Sequence, residues 1–334
     1  MSFAKTKKWF DNPLIVGDTR YWKPKSEWWF WLSVFSFFIA LTVNIFLPFV
    51  EQVRSLPYQI AISSVIVILL ILYFFALKRP FFRVKLYYRS QFVFAVAIAL
   101  TLWDLATAKS GIFPMPFFPS FSQIVDVIVQ DRQLLLKSAI YSMRLFFAGL
   151  STGIILGLAT GILIGWLRQW DYWLSPIIKI TGIIPAVAWI PVALVILPSS
   201  FATGIFLIFI ASWFPVSSMV ASGISATPKV YFELAKTLGA DQKFLLFRVA
   251  LPSAMPSIFM GIMTATAFSF TTLIVSEMIG AEAGLGFYIN WAKGWGAYAK
   301  VYAAIIIIGI EFSLILALIE SVKSHVLRWQ RNFK

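Results

Sequence analysis

Residues 145–167 read LFFAGLSTGIILGLATGILIGWL, a stretch without a charged residue that begins after Arg144 and ends before Arg168. An α-helix rises about 1.5 Å per residue, so about 20 apolar residues cross the hydrocarbon core of a bilayer. No water is available there to satisfy backbone groups, which favours a helix. This stretch is therefore predicted to be a membrane-spanning helix.

Comparable stretches occur along most of the chain, which has 60% hydrophobic residues, 13% charged residues and a mean hydropathy of +0.84. Water-soluble domains carry about 25% charged residues. The sequence predicts an all-α polytopic membrane protein with about eight transmembrane helices. The predicted spans are 28–50, 55–77, 91–106, 145–167, 182–197, 201–222, 256–278 and 301–321.

The 28 Lys and Arg residues are unevenly distributed over the predicted loops. When alternate loops are assigned to opposite sides of the membrane, 21 cations fall on one side and seven on the other. Cytoplasmic loops carry the excess of cations, so both termini are predicted to lie on the cytoplasmic side of the membrane. The same distribution accounts for the net charge of +14 without nucleic acid as a partner.

The fourth predicted span has a glycine at every fourth position. These helix-packing candidates are Gly149, Gly153, Gly157, Gly161 and Gly165. Residues four apart lie on one helical face, so a second helix can approach closely along this stripe. The stripe is interpreted either as packing within one subunit or as a moving or pathway-lining surface.

Seven residues are candidates for a translocation path: Pro185, Trp189, Pro191, Thr264, Ser269, Glu277 and Glu311. The two prolines kink the fifth span, as a gate or as a fixed structural feature. Hydroxyls of the seventh span either pack between helices or face a solute. Glu311, in the middle of the eighth span, is protonated, paired or in contact with a wet pathway. Glu277 and Asp104 lie near span ends and are expected to face water or to act in transport.

The segment 226–256, between the sixth and seventh spans, is predicted to lie in the cytoplasm and to form two short helices. The first helix covers 230–238 and ends at Gly239, and Asp241 caps a second helix through Val249. The pair Leu251-Pro252 is expected to break the chain toward the next span.

This segment resembles the cytoplasmic signature of permease subunits of binding-protein-dependent ABC importers. The signature is Glu-Ala-Ala, three residues, Gly, nine residues, Ile, any residue, Leu-Pro. The chain has Glu233-Leu234-Ala235, then Gly239, then Val249-Ala250-Leu251-Pro252. Leu234 and Val249 depart from the pattern, and both are apolar replacements. Further segments are similar to the nitrate, sulfonate, taurine and bicarbonate branch of that family: 118–124, 184–191, 276–281 and 284–286.

The resemblance covers 91–325 and implies a six-helix type I importer core. The predicted domains are 1–90, with a cytoplasmic tail, two extra helices and a basic loop; 91–325, the permease core; and 326–334, a cytoplasmic tail. It also implies that the loop couples to an ATPase. The residues matched to this role are Glu233, Leu234, Ala235, Lys236, Gly239, Ala240, Leu251 and Pro252.

The chain lacks a Gly-x-x-x-x-Gly-Lys-Ser/Thr phosphate-binding loop, so ATP hydrolysis is expected on a separate subunit. The resemblance implies two cytoplasmic ATPase subunits that hold ATP and Mg, a second permease copy that is expected to be identical, and an extracytoplasmic solute-binding protein. It also implies a location in the bacterial inner membrane. No cofactor or metal is expected on this chain, which has no cysteine and a single histidine, His325.

Three alternatives stay open at this level. The same transporter type would serve a neutral or cationic small organic molecule, such as a vitamin precursor, instead of an anion. An ATP-independent channel or structural membrane protein would have no copurifying ATPase. An intramembrane enzyme would need a catalytic cluster, which the sequence does not supply.

Overall fold

The computed structural model describes residues 27–49 and 55–328. Most of both predicted cytoplasmic tails, and Arg54 of the opposite side, lie outside the described residues. The described chain is helical, and its contacts divide it into two compact units on either side of the Gln130–Asp131 bond. The predicted domain boundaries at 90/91 and 325/326 stay predictions.

The first unit contains four helices: α1 Trp28–Phe46, α2 Leu56–Lys78, α3 Pro80–Asp104 and α4 Phe121–Gln130. A π-helical turn, Leu105–Lys109, extends α3. The core of the first unit combines aromatic and aliphatic side chains, and Phe30 stacks on Tyr73 at 5.0 Å between ring centroids. Ser55 caps α2 by accepting a hydrogen bond from the Tyr58 amide, as expected for an N-cap serine.

The predicted basic loop at 78–89 is helical from Pro80 onward. Arg79 has an extended backbone, which is the conformation favoured before proline, and Pro80 then occupies the first turn of α3. Lys and Arg residues can lie on a helix here, because their long side chains carry the charged groups to polar surroundings. The third span is consequently longer than the predicted 91–106.

The second unit begins with α5 Arg132–Trp166 and α6 Arg168–Ile183, followed by a 3-10 turn, Ala186–Trp189, and α7 Ile190–Ile196. The chain continues with α8 Ser200–Ser225, α9 Lys229–Thr237 and α10 Gln242–Phe244. A π-helical turn, Leu245–Ala250, joins α10 to α11 Leu251–Gly280, and α12 Leu285–Gly294 and α13 Tyr298–Val326 complete the unit.

Seven helical segments in the described chain are long and apolar enough to cross a membrane, and the bent pair 168–183 and 186–196 makes up to eight. The predicted all-α polytopic fold class is confirmed. The predicted fifth span, 182–197, is not one helix, because the axis turns by 91° at this break. Ile184 is extended before Pro185, which has no backbone N–H to continue the ladder.

The predicted break at Leu251-Pro252 is wrong, because helical structure runs without interruption from Gln242 to Gly280. Pro252 lies in the first turn of α11, where its missing N–H is tolerated. The π-helical turn before it changes the hydrogen-bond spacing, as such turns do where a regular ladder cannot form. The segment 242–280 is therefore one connected rod.

Helices α5 and α8 pack along the glycine stripe. A Cβ atom built on any of the five glycines would lie less than 3.0 Å from a side chain of α8. The side chains facing them are also spaced by four residues: Ile208, Ser212, Val216, Val220 and Ile224. The absent side chains let the two helices approach at close range, and buried apolar residues fill the rest of this core.

Candidate functional site

Helix α9 is attached to the bundle by one of its two apolar faces. The Phe232 ring lies 6.0 Å from the Trp166 ring at the end of α5, and Ala235 is buried. The helix ends at Gly239, whose φ of +84° is a left-handed conformation that suits glycine. The Ala240 amide then donates to the Ala235 carbonyl at 3.0 Å, which closes the turn.

The opposite face of α9 is apolar and exposed. Val230, Leu234 and Leu238 are spaced by four residues and are 65%, 60% and 81% exposed, and Tyr231 beside them is 54% exposed. A row of large apolar side chains that are mostly exposed in the described chain is typical of an interaction surface. We call these four residues the α9 face.

The remaining residues of the predicted coupling set lie around this face or on the next helix. Glu233 and Lys236 are exposed on α9, whereas Leu251 and Pro252 lie in the first turn of α11. Asp241 accepts a hydrogen bond from the Phe244 amide at 2.8 Å and so begins the rod that contains α11. The loop is thus anchored at both ends in long helices.

Pro185 and Pro191 flank the 3-10 turn at the 91° break, and both are exposed. Trp189 lies in that turn, and its buried indole N–H has no hydrogen-bond partner in the described chain. On α11, the Thr264 hydroxyl donates to the Met260 carbonyl at 3.0 Å, while the buried Ser269 hydroxyl has no partner among the described residues. Two of these candidates thus retain unused polar atoms.

Glu277 does not face water, contrary to one expectation from its place near a span end, because it is only 1% exposed. One carboxylate oxygen accepts hydrogen bonds from the Ser142 hydroxyl at 2.9 Å and the Gly286 amide at 2.8 Å. The Ser142 oxygen in turn accepts from the Leu285 amide at 2.9 Å. Glu277 and Ser142 therefore fix the first turn of α12 to α11 and α5, and we call this arrangement the α12 latch.

The glycines around the α12 latch explain the local sequence. Gly284 has a φ of +112°, and a Cβ atom there would overlap the Glu277 carboxyl group. A Cβ on Gly286 would lie 2.6 Å from the Ile274 carbonyl oxygen. Only glycine at these positions lets the backbone approach the carboxylate so closely.

Asp104 is also buried, at 3% exposure, so the expectation that it faces water is wrong as well. It lies in the first unit, where the Asn44 side-chain amide donates to its carboxylate at 3.2 Å. This amide partner lies 60 residues away in sequence, and no sequence pattern marks the pair.

Glu311 lines a hollow of about 420 Å³ between α5 and α13. The lining is otherwise apolar except for Arg144, and one buried oxygen of Glu311 has no partner in the described chain. Glu277 and Glu311 thus lie on α11 and α13, whereas Pro185, Trp189 and Pro191 lie at the break.

An ion pair that sequence reasoning missed joins the beginnings of α5 and α13. Lys300 Nζ lies 2.7 Å from Asp131 Oδ2, and the Tyr288 hydroxyl donates to the same carboxylate at 2.7 Å. Burial alone would raise the pKa of Asp131, but the bonds from Lys300 and Tyr288 and the Lys300 charge together lower it. Burial, followed by the bond to Asp131, raises the pKa of Tyr288.

Lys179 is a second residue that sequence reasoning placed differently. The charge count assigns it to a loop, but it lies well inside α6, eleven residues after Arg168. The signal for a helix is the amphipathic spacing of Asp171, Ser175, Ile178 and Lys179 along one face.

Comparison with known families identifies the chain. Residues 153–332 match the family described as the binding-protein-dependent transport system inner membrane component. The chain belongs to this family. It is a multi-pass membrane protein and a transporter component, as the sequence motif predicts.

Relatives extend the match. The bicarbonate transport system permease protein CmpB of Synechococcus elongatus is 32% identical over 165 residues, 49% of this chain and 58% of the relative. The nitrate import permease protein NrtB of Leptolyngbya laminosa is 31% identical over 211 residues, which cover 63% of this chain and 73% of the relative. A probable ABC transporter permease of Brucella abortus is 27% identical over 244 residues, 71% and 94% of the chains. The predicted resemblance to the nitrate and bicarbonate branch is confirmed.

Among solved structures, an inward-facing form of the MetNI methionine ABC transporter superposes with a TM-score of 0.52 at 21% identity. The match covers 59% of this chain and 98% of the other chain. At this identity the likeness shows the fold alone.

Proposed function

We propose that this chain is the permease subunit of an ATP-driven importer that moves a small anion of the nitrate, bicarbonate, sulfonate or taurine class into the cell. Family membership supports the importer, and the names of the nitrate and bicarbonate relatives support the anion. These relatives do not favour a neutral or cationic organic cargo. ATP and Mg belong to partner ATPase subunits in this proposal.

The α9 face carries the proposal. Its exposed apolar side chains lie on a short helix that Phe232 and Ala235 hold to the bundle. Burying a Leu-sized side chain stabilises a contact by about 1.5–3 kcal/mol, so the α9 face is suited to dock a partner firmly. We assign this partner as a cytoplasmic ATPase, one on each of two permease copies, with a solute-binding protein on the other side of the membrane.

The proposed mechanism is alternating access, in which ATP binding draws the two ATPases together and moves both α9 helices. The continuous rod 242–280 connects this movement directly to α11, which carries Ser269 and Glu277. The break at Pro185 is where the chain between α6 and α7 can change angle. Outward opening admits the anion, and hydrolysis restores the inward-facing state.

The orientation belongs to the same proposal. With eight spans, a cytoplasmic α9 places both termini in the cytoplasm, which agrees with the excess of cations on that side. A cysteine-accessibility test is direct, because the natural chain has no cysteine of its own.

The experiment that tests the function is copurification of the ATPase with tagged wild-type chain and with Glu233→Arg, Leu234→Asp and Gly239→Pro variants. Glu320→Arg is a matched control, because Glu320 is exposed near the end of α13 and is not one of the residues of the α9 face. We expect Leu234→Asp to reduce copurified ATPase at least tenfold, since about 1.4 kcal/mol of lost binding is a factor of 10.

Uptake of nitrate into proteoliposomes, measured with and without ATP, completes this test. The proposal requires an ATPase bound to the wild type, ATP-dependent uptake, and normal behaviour of Glu320→Arg. A wild-type chain that carries no ATPase under mild conditions and transports without ATP would instead be a channel.

A further inference from the structure

A polar cavity of about 240 Å³ lies between α6 and α8 in the second unit. Five of its lining residues are serines, and the lining also contains a cation, Lys179, which is exposed. Its volume corresponds to about eight water molecules at about 30 Å³ each. A small inorganic anion with part of its hydration shell fits this space, whereas drug-sized ligands need about 300–1,000 Å³.

The two helices run in opposite directions past the cavity. Gly182 of α6 packs directly against the Phe214 ring of α8, which sets their register. From this contact, Lys179 comes opposite 217–218 and Asp171 comes opposite Ser225, at the far end of the cavity. Asp171 and Lys179 are eight residues apart, about 12 Å along the helix axis.

Several donors along the cavity are not engaged elsewhere. The hydroxyls of Ser218, Ser222 and Ser225 have no hydrogen-bond partner among the described residues. By contrast, Ser212 on the other side of α8 donates to the Ile208 carbonyl at 2.8 Å. Ser218, Ser222 and Ser225 are exposed, so their hydroxyls are available to water or to a bound solute.

The charges of the cavity are separated. Lys179 has no carboxylate within salt-bridge distance in the described chain. Asp171 accepts a hydrogen bond from Ser175 at 2.7 Å and lies at the opposite end. An anion beside Lys179 therefore meets an ammonium group and free hydroxyls before it meets the carboxylate.

We infer that this cavity is a transit site for a small inorganic oxyanion, bound by Lys179 and by the hydroxyls of Ser218 and Ser222. The inference rests on the proposed function and adds a place where the anion binds within the permease. Lys179 attracts the anion at one end of the cavity. Because Asp171 at the other end cancels the formal charge, the site does not retain the anion tightly. Weak binding is what a transport path requires, because the solute must leave as well as enter.

The test uses single cysteines in the assembled transporter, with nitrate as the probe. Ala221→Cys reports from the cavity and Ser225→Cys is a second reporter, while Glu320→Cys is the control at an exposed position near the end of α13. The rate of modification by a negatively charged thiol reagent is measured while nitrate replaces gluconate at constant ionic strength. Occupancy slows the rate by a factor of 1 + [nitrate]/Kd, about fivefold at four times the Kd.

The inference predicts saturable slowing at Ala221→Cys or Ser225→Cys and no change at Glu320→Cys. Adding Lys179→Met should abolish the slowing, whereas Lys137→Met, which removes an exposed cation from α5, should preserve it. Equal rates with and without nitrate at both cavity reporters, in complexes that still import nitrate with ATP, would overturn the site and leave the importer function intact. Loss of the ATPase partner would contradict the function alone, because nitrate protection is measured independently.

Discussion

The two faces of α8 are built in opposite ways. Toward α5, Ile208, Val216 and Ile224 meet a row of glycines at distances that leave no space for another atom. Toward α6, Ser218 and Ser222 line an open cavity and bond to nothing in the described chain. One helix therefore combines a closed face with an open one.

The difference separates stability from function along a single helix. Dispersion and close approach hold the closed face, because transmembrane helices gain little from hydrophobic association in lipid. The hydroxyls of Ser218 and Ser222 on the open face form no hydrogen bond within the described chain, so they do not stabilise the fold. We expect substitutions on the first face to damage the protein and those on the second face to alter transport.

The largest effect is expected for Gly161→Ala on the closed face. Its Cβ would lie 2.6 Å from the Ser217 carbonyl oxygen and 2.7 Å from the Val220 Cβ, and the backbone oxygen cannot move away cheaply. Overpacking of this kind costs about 1–3 kcal/mol. The apparent melting temperature of the purified transporter should fall by several degrees, with less assembled complex recovered.

Gly309→Ala is the matched control for this substitution, because a Cβ on Gly309 meets no atom within 4 Å. Alanine favours a helix over glycine by about 0.5–1 kcal/mol, so this variant should be neutral or slightly stabilised. If both alanines behave alike, close packing at the α5–α8 contact does not determine stability.

The spacing of the glycines predicts a close helix contact, but it does not identify the partner. A period of four places Gly149 to Gly165 on one face, whereas the choice of α8 depends on the matching period of Ile208 to Ile224 and on the intervening turn. Long apolar helices were predictable because their length and hydropathy are local properties. Their interruptions were less so: Pro185 ends a helix, while Pro252 begins one after a π-helical turn.

The candidate sites divide in the same manner. The α9 loop could be recognised because its residues are contiguous and its glycine lies at a helix end. Glu277 was found as an acidic residue in an apolar segment, but Ser142, its partner 135 residues away, was not. Lys179 was assigned to a loop because the charge count places every cation between two predicted spans in a loop. In the structure α6 continues beyond Lys179 to Ile183.

An intermediate effect is expected at the α12 latch, which is closed by polar bonds instead of shape. Glu277→Ala removes the acceptor of the Ser142 hydroxyl and the Gly286 amide, and an unsatisfied buried donor costs about 1–3 kcal/mol. Hydrogen exchange at the Gly286 amide should accelerate, and the melting temperature should fall.

Glu277→Gln keeps one acceptor oxygen and should lose less than Glu277→Ala, while Glu282→Ala, at an exposed position on the same connection, should lose nothing. Equal loss in the Gln and Ala variants would show that the charge, and not the accepted hydrogen bonds, holds α12 in place.

The smallest effect on stability is expected for Ser222→Ala on the open face of α8. This variant tests most directly whether the two faces of α8 differ. The Ser222 hydroxyl has no partner among the described residues, so its removal should change stability by no more than about 0.5 kcal/mol. Ser142→Ala, which loses bonds to Glu277 and Leu285, should cost about 2 kcal/mol by the same melting measurement. A large loss in Ser222→Ala would mean that the cavity is filled and structural in the assembled transporter. An unchanged melting temperature together with slower nitrate uptake would assign the open face of α8 to the solute.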